Sequence, residues 1–271
     1  MNSSDSTSLP GSTANGTSNE TNGTNGTSRS NGTNGTNGVN GTNGTNGSNG
    51  VKKTKICVYC GSSPGHHPAH MEAARELARA MARNNIGLVY GGGTIGLMGE
   101  VAKTLVSLSG PEAVHGIIPE ALIKHERDPT YTSTWGSEEG GLAIPEEKTY
   151  GMTTVVKDMH TRKQMMAQEV IAGGPGSGFI ALPGGYGTME ELLETCTWNQ
   201  LGIHDKGVCV LNVNGFYDGL IQWIAKSQEE GFIRKGQTEI LVSADNAEDA
   251  IKALRDYRVS ESVLKLSWGS Q

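Results

Sequence analysis

The chain has 271 residues and a formal net charge of −6. That acidic balance excludes broad, non-specific binding to nucleic acid, which needs a basic face. No stretch approaches the roughly 20 continuous apolar residues of a membrane span, so no spanning helix is expected.

Residues 1–50 are almost only Asn, Gly, Thr and Ser, with the triplet Asn-Gly-Thr repeated, as at Asn22-Gly23-Thr24 and Asn43-Gly44-Thr45. Such a segment has too little apolar surface to offset its ordering entropy. Residues 1–51 are therefore expected to form a disordered arm. Its charged residues, Asp5, Glu20 and Arg29, give −1 and leave −5 for the rest. The triplets fit the N-glycosylation acceptor pattern, but the N-terminus lacks the apolar core of a secretion signal. The arm is read as a spacer and the protein as cytoplasmic. The remaining ~220 residues are enough for one α/β domain, expected over 52–258, with a C-terminal tail at 259–271.

From Lys55 onward, apolar runs alternate with helical patterns. Residues 55–60 (KICVYC) read as a buried strand. Residues 69–83 read as a helix, because Met71, Ala74, Leu77, Ala78 and Met81 recur three and four apart. A strand at 86–90, a glycine cluster, a helix near 97–108 and a strand at 113–118 follow. Between 125 and 148 the pattern fails and Gly, Pro, Ser and Thr dominate. This is expected to be a long loop, a kind of segment that often carries function. Then come a helix at 153–172, a short strand at 179–182, a helix at 188–201, a strand at 207–213, a helix at 219–230, a strand at 240–243 and a helix at 247–257. The alternation predicts an α/β fold, a doubly wound, Rossmann-like parallel sheet with helices on both faces. Ligands in such sheets bind beyond the carboxyl ends of the strands, here after Cys60, Tyr90, Ile118 and Leu182.

The four cysteines, Cys57, Cys60, Cys196 and Cys209, outline no disulfide framework in a chain this long. Cys57 and Cys60 have the Cys-x-x-Cys spacing but no matching second pair for zinc, and they lie inside an apolar run rather than at a helix start. They read as buried strand residues. No His/Cys/Asp/Glu cluster has metal spacing, so neither metal nor cofactor is expected.

Two predicted strand ends carry glycine clusters that open helices. One is Gly91-Gly92-Gly93-Thr94-Ile95-Gly96-Leu97-Met98-Gly99; the other is Pro183-Gly184-Gly185-Tyr186-Gly187-Thr188. Glycine lets backbone N–H groups crowd toward a ligand, and a helix N-terminus offers unpaired donors and partial positive charge. Together they favour a phosphate. The P-loop pattern with its lysine is absent. Gly91, Gly93 and Gly96 match dinucleotide spacing, but the loop follows the second strand and lacks the acidic residue about 20 positions on. A redox enzyme rests on that spacing alone. A monophosphate held by loop amides fits the residues better.

Thr188 suits a helix N-cap, and Glu191 then falls at the third helical position. Thr-x-x-Glu is the capping-box pattern, which accounts for Glu191. Glu190 has no such task and is the candidate catalytic carboxylate. Glu194, one turn on, reads as part of a supporting face. Arg162, in Met159-His160-Thr161-Arg162-Lys163, is the basic candidate, although spacing alone would make it a solvated helix position.

Pro183-Gly184-Gly185-Tyr186-Gly187-Thr188-Met189-Glu190-Glu191 resembles the Pro-Gly-Gly-x-Gly-Thr-x-x-Glu signature of the LONELY GUY (LOG) cytokinin phosphoribohydrolases. Met159–Lys163 resembles their Met-His-x-Arg-Lys motif. The stretches CVYCGSS (57–63), YGGGTIGLMG (90–99) and WNQLGIHD (198–205) agree. Residues 127–147 and 173–178 look like insertions. The family is often labelled lysine decarboxylase, but nothing in this sequence marks a pyridoxal phosphate site.

The resemblance implies hydrolysis of N6-substituted adenosine 5′-monophosphates to free base and ribose 5-phosphate, by a homodimer or larger homo-oligomer. Glycosidic cleavage passes through an oxocarbenium-like state that a carboxylate such as Glu190 can stabilise. Arg162 would anchor the phosphate or assist the purine. Expected substrate contacts are Ser62, Gly92, Gly93, Gly96, Met98, Gly99, Lys163, Gly184, Gly185, Tyr186, Gly187 and Thr188, with Glu126 at a family position that contacts the base. The alternative function is a non-catalytic carrier of a nucleotide or phosphorylated cofactor.

Overall fold

The computed structural model describes residues 52–126, 134–135, 142–264 and 266. The arm expected over 1–51 and residues 127–133 and 136–141 of the expected loop lie outside the described residues. The elements run β1 (Lys55–Tyr59), α1 (Pro68–Arg83), β2 (Gly87–Tyr90), α2 (Gly96–Ser109), β3 (Val114–Pro119), β4 (Thr134–Trp135), β5 (Leu142–Ala143), α3 (Glu147–Tyr150), β6 (Met152–Val156), α4 (Met159–Ile171), β7 (Gly178–Ala181), α5 (Tyr186–Gln200), β8 (Gly207–Leu211), α6 (Asp218–Glu229), β9 (Leu241–Ala244) and α7 (Ala247–Asp256).

Seven strands form one sheet in the order β6-β3-β2-β1-β7-β8-β9, and every pairing in it is parallel. The chain winds outward from β1 through β2 and β3 to β6, then returns to β7 on the other side of β1. That reversal opens a crevice at the carboxyl ends of β1 and β7. Ile56 and Val58 face a layer built with α1, α2 and α7, while Cys57 and Tyr59 face one built with α4, α5 and α6. Burial on both faces explains why the central strands read as continuous apolar runs.

The helix expected over 153–172 begins late. Its first residues form the edge strand β6, paired with β3 through Thr153↔Gly116 and Thr154↔Ile117. Thr153, Thr154, Val155 and Val156 are all β-branched and suit a pleated surface. Asp158 then caps α4, its carboxylate accepting from the Thr161 amide at 2.8 Å. Within the expected loop, β4 and β5 form a short antiparallel pair and α3 adds one helical turn.

The described part of the expected tail is fastened to the domain. The Leu264 amide donates to the Gln200 carbonyl at 3.0 Å, and Gln237 Nε2 donates to the Ser262 carbonyl at 3.1 Å. Gln237 is itself buried and accepts from Gln200 Nε2 at 2.8 Å. Removing residues 259–271 therefore uncovers buried amide groups, at a cost of about 2–3 kcal/mol. The truncated protein should melt roughly 5–10 °C lower by calorimetry. An unchanged melting temperature would show that the segment contributes nothing.

Candidate active site

Three loops meet at the crevice, after β1, β2 and β7. Gly61 ties them together. Its amide donates to the Pro183 carbonyl at 3.0 Å, and its carbonyl accepts from the amides of Leu97 at 3.1 Å and Met98 at 3.3 Å. Gly96, at φ +59, lies so close to the Ser62–Ser63 peptide that a Cβ would stand 2.4 Å from it. Ser62 is exposed on the first of these loops. Gly92 and Gly99 are buried packing positions against Ile118 and Thr94.

The two glycine clusters thus differ in kind. The first turn of α2 has two of its amides engaged by Gly61. The first turn of α5 has Gly185 as its N-cap and no side-chain cap. Gly185, Tyr186 and Gly187 are exposed, and a Cβ on Gly185 or Gly187 would meet nothing within 4 Å. The α5 N-terminus is the open anion cradle.

Thr188 is not the N-cap. It is buried inside the first turn, and a Cβ on Gly184 would stand 2.1 Å from its hydroxyl. The chain leaves extended geometry at Gly185, so the helix starts three residues before the position expected for a Thr188 cap, and the capping box does not form. The shift separates the two glutamates. Thr188, Glu191, Leu192, Thr195 and Asn199 form the buried stripe of α5. Glu191 is 8% exposed, and its Oε1 stands 3.9 Å from Arg162 Nη2. The Glu190 side chain is 52% exposed and lies 2.5 Å from Lys163 Nζ, which also takes Glu194 at 2.9 Å. Glu190 and Lys163 belong to a rim ion-pair group. The signal for Glu191 was in the sequence: it ends the Pro-Gly-Gly-x-Gly-Thr-x-x-Glu motif, and it keeps three-and-four spacing with Thr188 and Thr195.

Arg162 is buried in the first turn of α4, against the expectation from spacing alone. Its guanidinium rests on the backbone of Gly91, where a Cβ would stand 1.8 Å from Nη2. Gly91 is a site residue that the sequence reading left out. Arg162 Nη1 reaches Met159 Sδ at 3.7 Å, and Nε has no hydrogen-bond partner among the described residues. Glu126 lies over Gly93, where a Cβ would stand 3.3 Å from Oε2 and 3.0 Å from Met98 Cε. Its Oε2 is buried and likewise without a partner among the described residues.

Burial pushes the Glu191 carboxyl up to about 7, with Arg162 pulling it back and Glu190 and Glu126 adding to the rise. Burial also raises Glu126. Cys57 and Cys60 are buried free thiols pushed well up by desolvation. Among the described residues no group of three or more His, Cys, Asp or Glu is placed to hold a metal ion. Nor is any helix there long and apolar enough to cross a membrane.

A family model described as "Possible lysine decarboxylase" matches residues 98–254. The chain is 54% identical over 205 residues to a bifunctional cytokinin biosynthesis protein of Fusarium pseudograminearum, covering 75% of this chain and 40% of that protein. It therefore spans less than half of that relative. It is 44% identical over 219 residues to the cytokinin riboside 5′-monophosphate phosphoribohydrolase LOG1 of Arabidopsis thaliana, covering 80% of this chain and 91% of the relative. A probable enzyme of the same name from Oryza sativa subsp. japonica, LOGL1, is 43% identical over 79% of this chain and 85% of its own length. Among solved structures, the molybdenum cofactor carrier protein MCP of Chlamydomonas reinhardtii superposes with a TM-score of 0.50 at 18% identity, covering 75% of this chain and 97% of that one. That likeness is one of fold alone.

The raised Glu191 carboxyl has a consequence for stability. Between about pH 4.5 and 7 the folded protein keeps a proton on Glu191 that the unfolded chain has lost. Stability therefore falls as pH rises through that window. At about 1.4 kcal/mol per pH unit, the ionised group costs on the order of 3 kcal/mol above it. Glu191→Gln should melt several degrees higher than the parent at pH 8 and about equally at pH 4. Equal melting at both pH values would contradict this account.

Proposed function

The chain belongs to the LOG family of cytokinin riboside 5′-monophosphate phosphoribohydrolases, and we propose that its crevice hydrolyses the N-glycosidic bond of N6-substituted adenosine 5′-monophosphates. The observation that carries this reading is the buried Arg162–Glu191 pair, one turn along α5 from a helix N-terminus that no side chain caps. The amides of Tyr186, Gly187 and Thr188 hold the phosphate dianion through direct N–H bonds and the helix dipole. Ribose then lies along α5, next to Glu191.

As the C1′–N9 bond stretches, positive charge grows on the ribose. Ionised Glu191 stabilises it and takes a proton from the attacking water. Arg162 favours the ionised form of Glu191 and holds that carboxylate toward the ribose. Water oxygen bonds to C1′, and free base and ribose 5-phosphate leave. Glu190 stays outside the reaction. The buried free thiols suit work in the reducing cytosol.

Product analysis with AMP and isopentenyladenosine monophosphate side by side tests the reaction. Free base and ribose 5-phosphate should appear, with no loss on adding EDTA, and the riboside lacking phosphate should be a very poor substrate. Glu191→Gln should lower turnover roughly 100-fold or more, while Glu190→Gln changes it only a few-fold. A dead Glu190→Gln enzyme beside an active Glu191→Gln enzyme would overturn the assignment.

We also propose a homodimer through the outer face of α5. Leu193 on that face, Trp223 of α6 and Phe232 just after α6 are exposed and line a groove of about 350 Å³ whose lining carries no charged residue. A second copy brings the same aromatic pair to the same groove, as a two-fold interface requires. Light scattering should give a dimer mass for the parent and a monomer mass for Trp223→Asp. A parent that is monomeric at micromolar concentration would sink the proposal.

A further inference from the structure

We propose that Glu126 is the acid that hands a proton to N7 of the departing purine. This rests on the adenosine-type substrate proposed above.

Three observations converge on it. The backbone of Glu126 is pinned, its carbonyl accepting from the Thr94 amide at 2.8 Å and its amide donating to the Leu122 carbonyl at 3.0 Å. The side chain is laid over Gly93, beside Met98 Cε, on the wall of the crevice formed by the β2 loop. A ribotide with its phosphate on α5 and its ribose by Glu191 points its base toward that wall. The Glu126 Oε2 atom is buried, with no hydrogen-bond partner among the described residues. A buried carboxyl oxygen without a partner is uncommon in a folded protein and calls for an explanation.

The reaction needs such a group. A purine leaves poorly as an anion and readily as a neutral base once N7 is protonated. Arg162 cannot supply the proton, because a guanidinium does not give up a proton in proteins. Glu191 serves the ribose. Lys163 is held by Glu190 and Glu194. The Cys60 thiol is pushed up by burial and is a poor acid. His125 and His160 are exposed.

The charged and titratable groups that act on Glu126 are Arg162 from α4 and its neighbour His125, and Glu126 in turn acts on Glu191 of α5 and Cys60 at the end of β1. Burial favours its neutral form, Arg162 and His125 oppose this, and the phosphate dianion of a bound ribotide favours it further. Burial raises the Glu191 carboxyl more, so the reactive state, with the proton on Glu126 and Glu191 ionised, is the less populated arrangement of one proton shared by the two carboxyls. A neutral carboxyl offers one O–H donor and one acceptor oxygen. Adenine shows an N7 acceptor beside an N6–H donor. A singly N6-substituted adenine keeps one such hydrogen, so the same carboxyl can read both groups. Guanine and hypoxanthine place a carbonyl at position 6, where the acceptor oxygen would be repelled.

In the step itself the Glu126 O–H bond breaks and its proton goes to N7. The C1′–N9 electron pair moves into the purine, which leaves neutral. Water oxygen bonds to C1′, and its proton goes to Glu191. Solvent exchange then restores both carboxyls.

Glu126→Gln is the decisive variant, because the amide can still donate to N7 and accept from N6–H but cannot transfer a proton. With AMP its kcat should fall roughly 100-fold, with KM within about threefold. Wild-type kcat should fall at alkaline pH as Glu126 loses its proton, and that fall should disappear in the variant. A kcat within threefold of wild type, or a loss confined to KM, would overturn the proposal. A second measurement needs no variant: the wild-type enzyme should bind 7-deaza-AMP, which lacks N7, and leave it uncut. Hydrolysis of 7-deaza-AMP would overturn the proposal even if Glu126→Gln failed to fold. A wild type that releases no base from AMP or from isopentenyladenosine monophosphate would sink the parent reading, and this one with it. Base release by a wild type that also cuts 7-deaza-AMP would sink this one alone.

Discussion

A guanidinium buried against bare backbone, with its nearest carboxylate 3.9 Å away, sets the terms for the rest of this site. Arg162 carries a charge it cannot lose, and removal from water is costly unless carboxylates stand nearby. Glu191 and Glu126 are drawn into the same poorly hydrated space. The cation pulls their carboxyls down while burial pushes them up, and burial wins at both. The floor must be glycine, since any side chain at Gly91 would occupy the space of the guanidinium. The Asp158 cap that starts α4 fixes the turn from which Arg162 projects.

The two glycine clusters divide the work in a way their similar composition conceals. The one after β2 is mainly structural. It lets three loops pack within backbone contact of one another, and it leaves the flat wall on which Arg162 and Glu126 rest. The one after β7 leaves its helix N-terminus open to solvent. Its amides and dipole supply the attraction for an anion, one turn from the buried carboxylate. Both lie near the point where the sheet reverses its winding, so the chain's topology brings the open α5 N-terminus and the buried Arg162 and Glu191 to one crevice.

Helix α5 joins catalysis to packing. Its buried stripe carries Glu191, and Thr195 on the same stripe accepts from the Tyr59 hydroxyl at 2.9 Å and donates to the Glu191 carbonyl at 2.8 Å. The opposite stripe exposes Leu193 beside the apolar groove against α6. Anything that settles on that outer face presses on the helix whose inner face carries the buried Glu191 carboxylate. The C-terminal segment, bonded to Gln200 at the far end of α5, holds the same helix from below.

Periodicity and glycine chemistry made the architecture legible from sequence, because a strand buried on both faces and a helix buried on one leave distinct repeats over many residues. The two motifs named the family, and the structure brings both of them, through Arg162 and helix α5, to one crevice. What the sequence could not decide was local. Strand β6 merged with α4 on paper because hydrophobic pattern alone does not separate a short edge strand from the first turn of a helix, although four β-branched residues in a row favoured the strand. Thr-x-x-Glu matched a capping box, but Gly185 took the cap and turned Glu191 inward and Glu190 outward. At 3.6 residues per turn the side chains of adjacent residues such as Glu190 and Glu191 point about 100° apart. Which of two adjacent glutamates is buried therefore depends on how the turn packs against the sheet, and that is decided by tertiary structure.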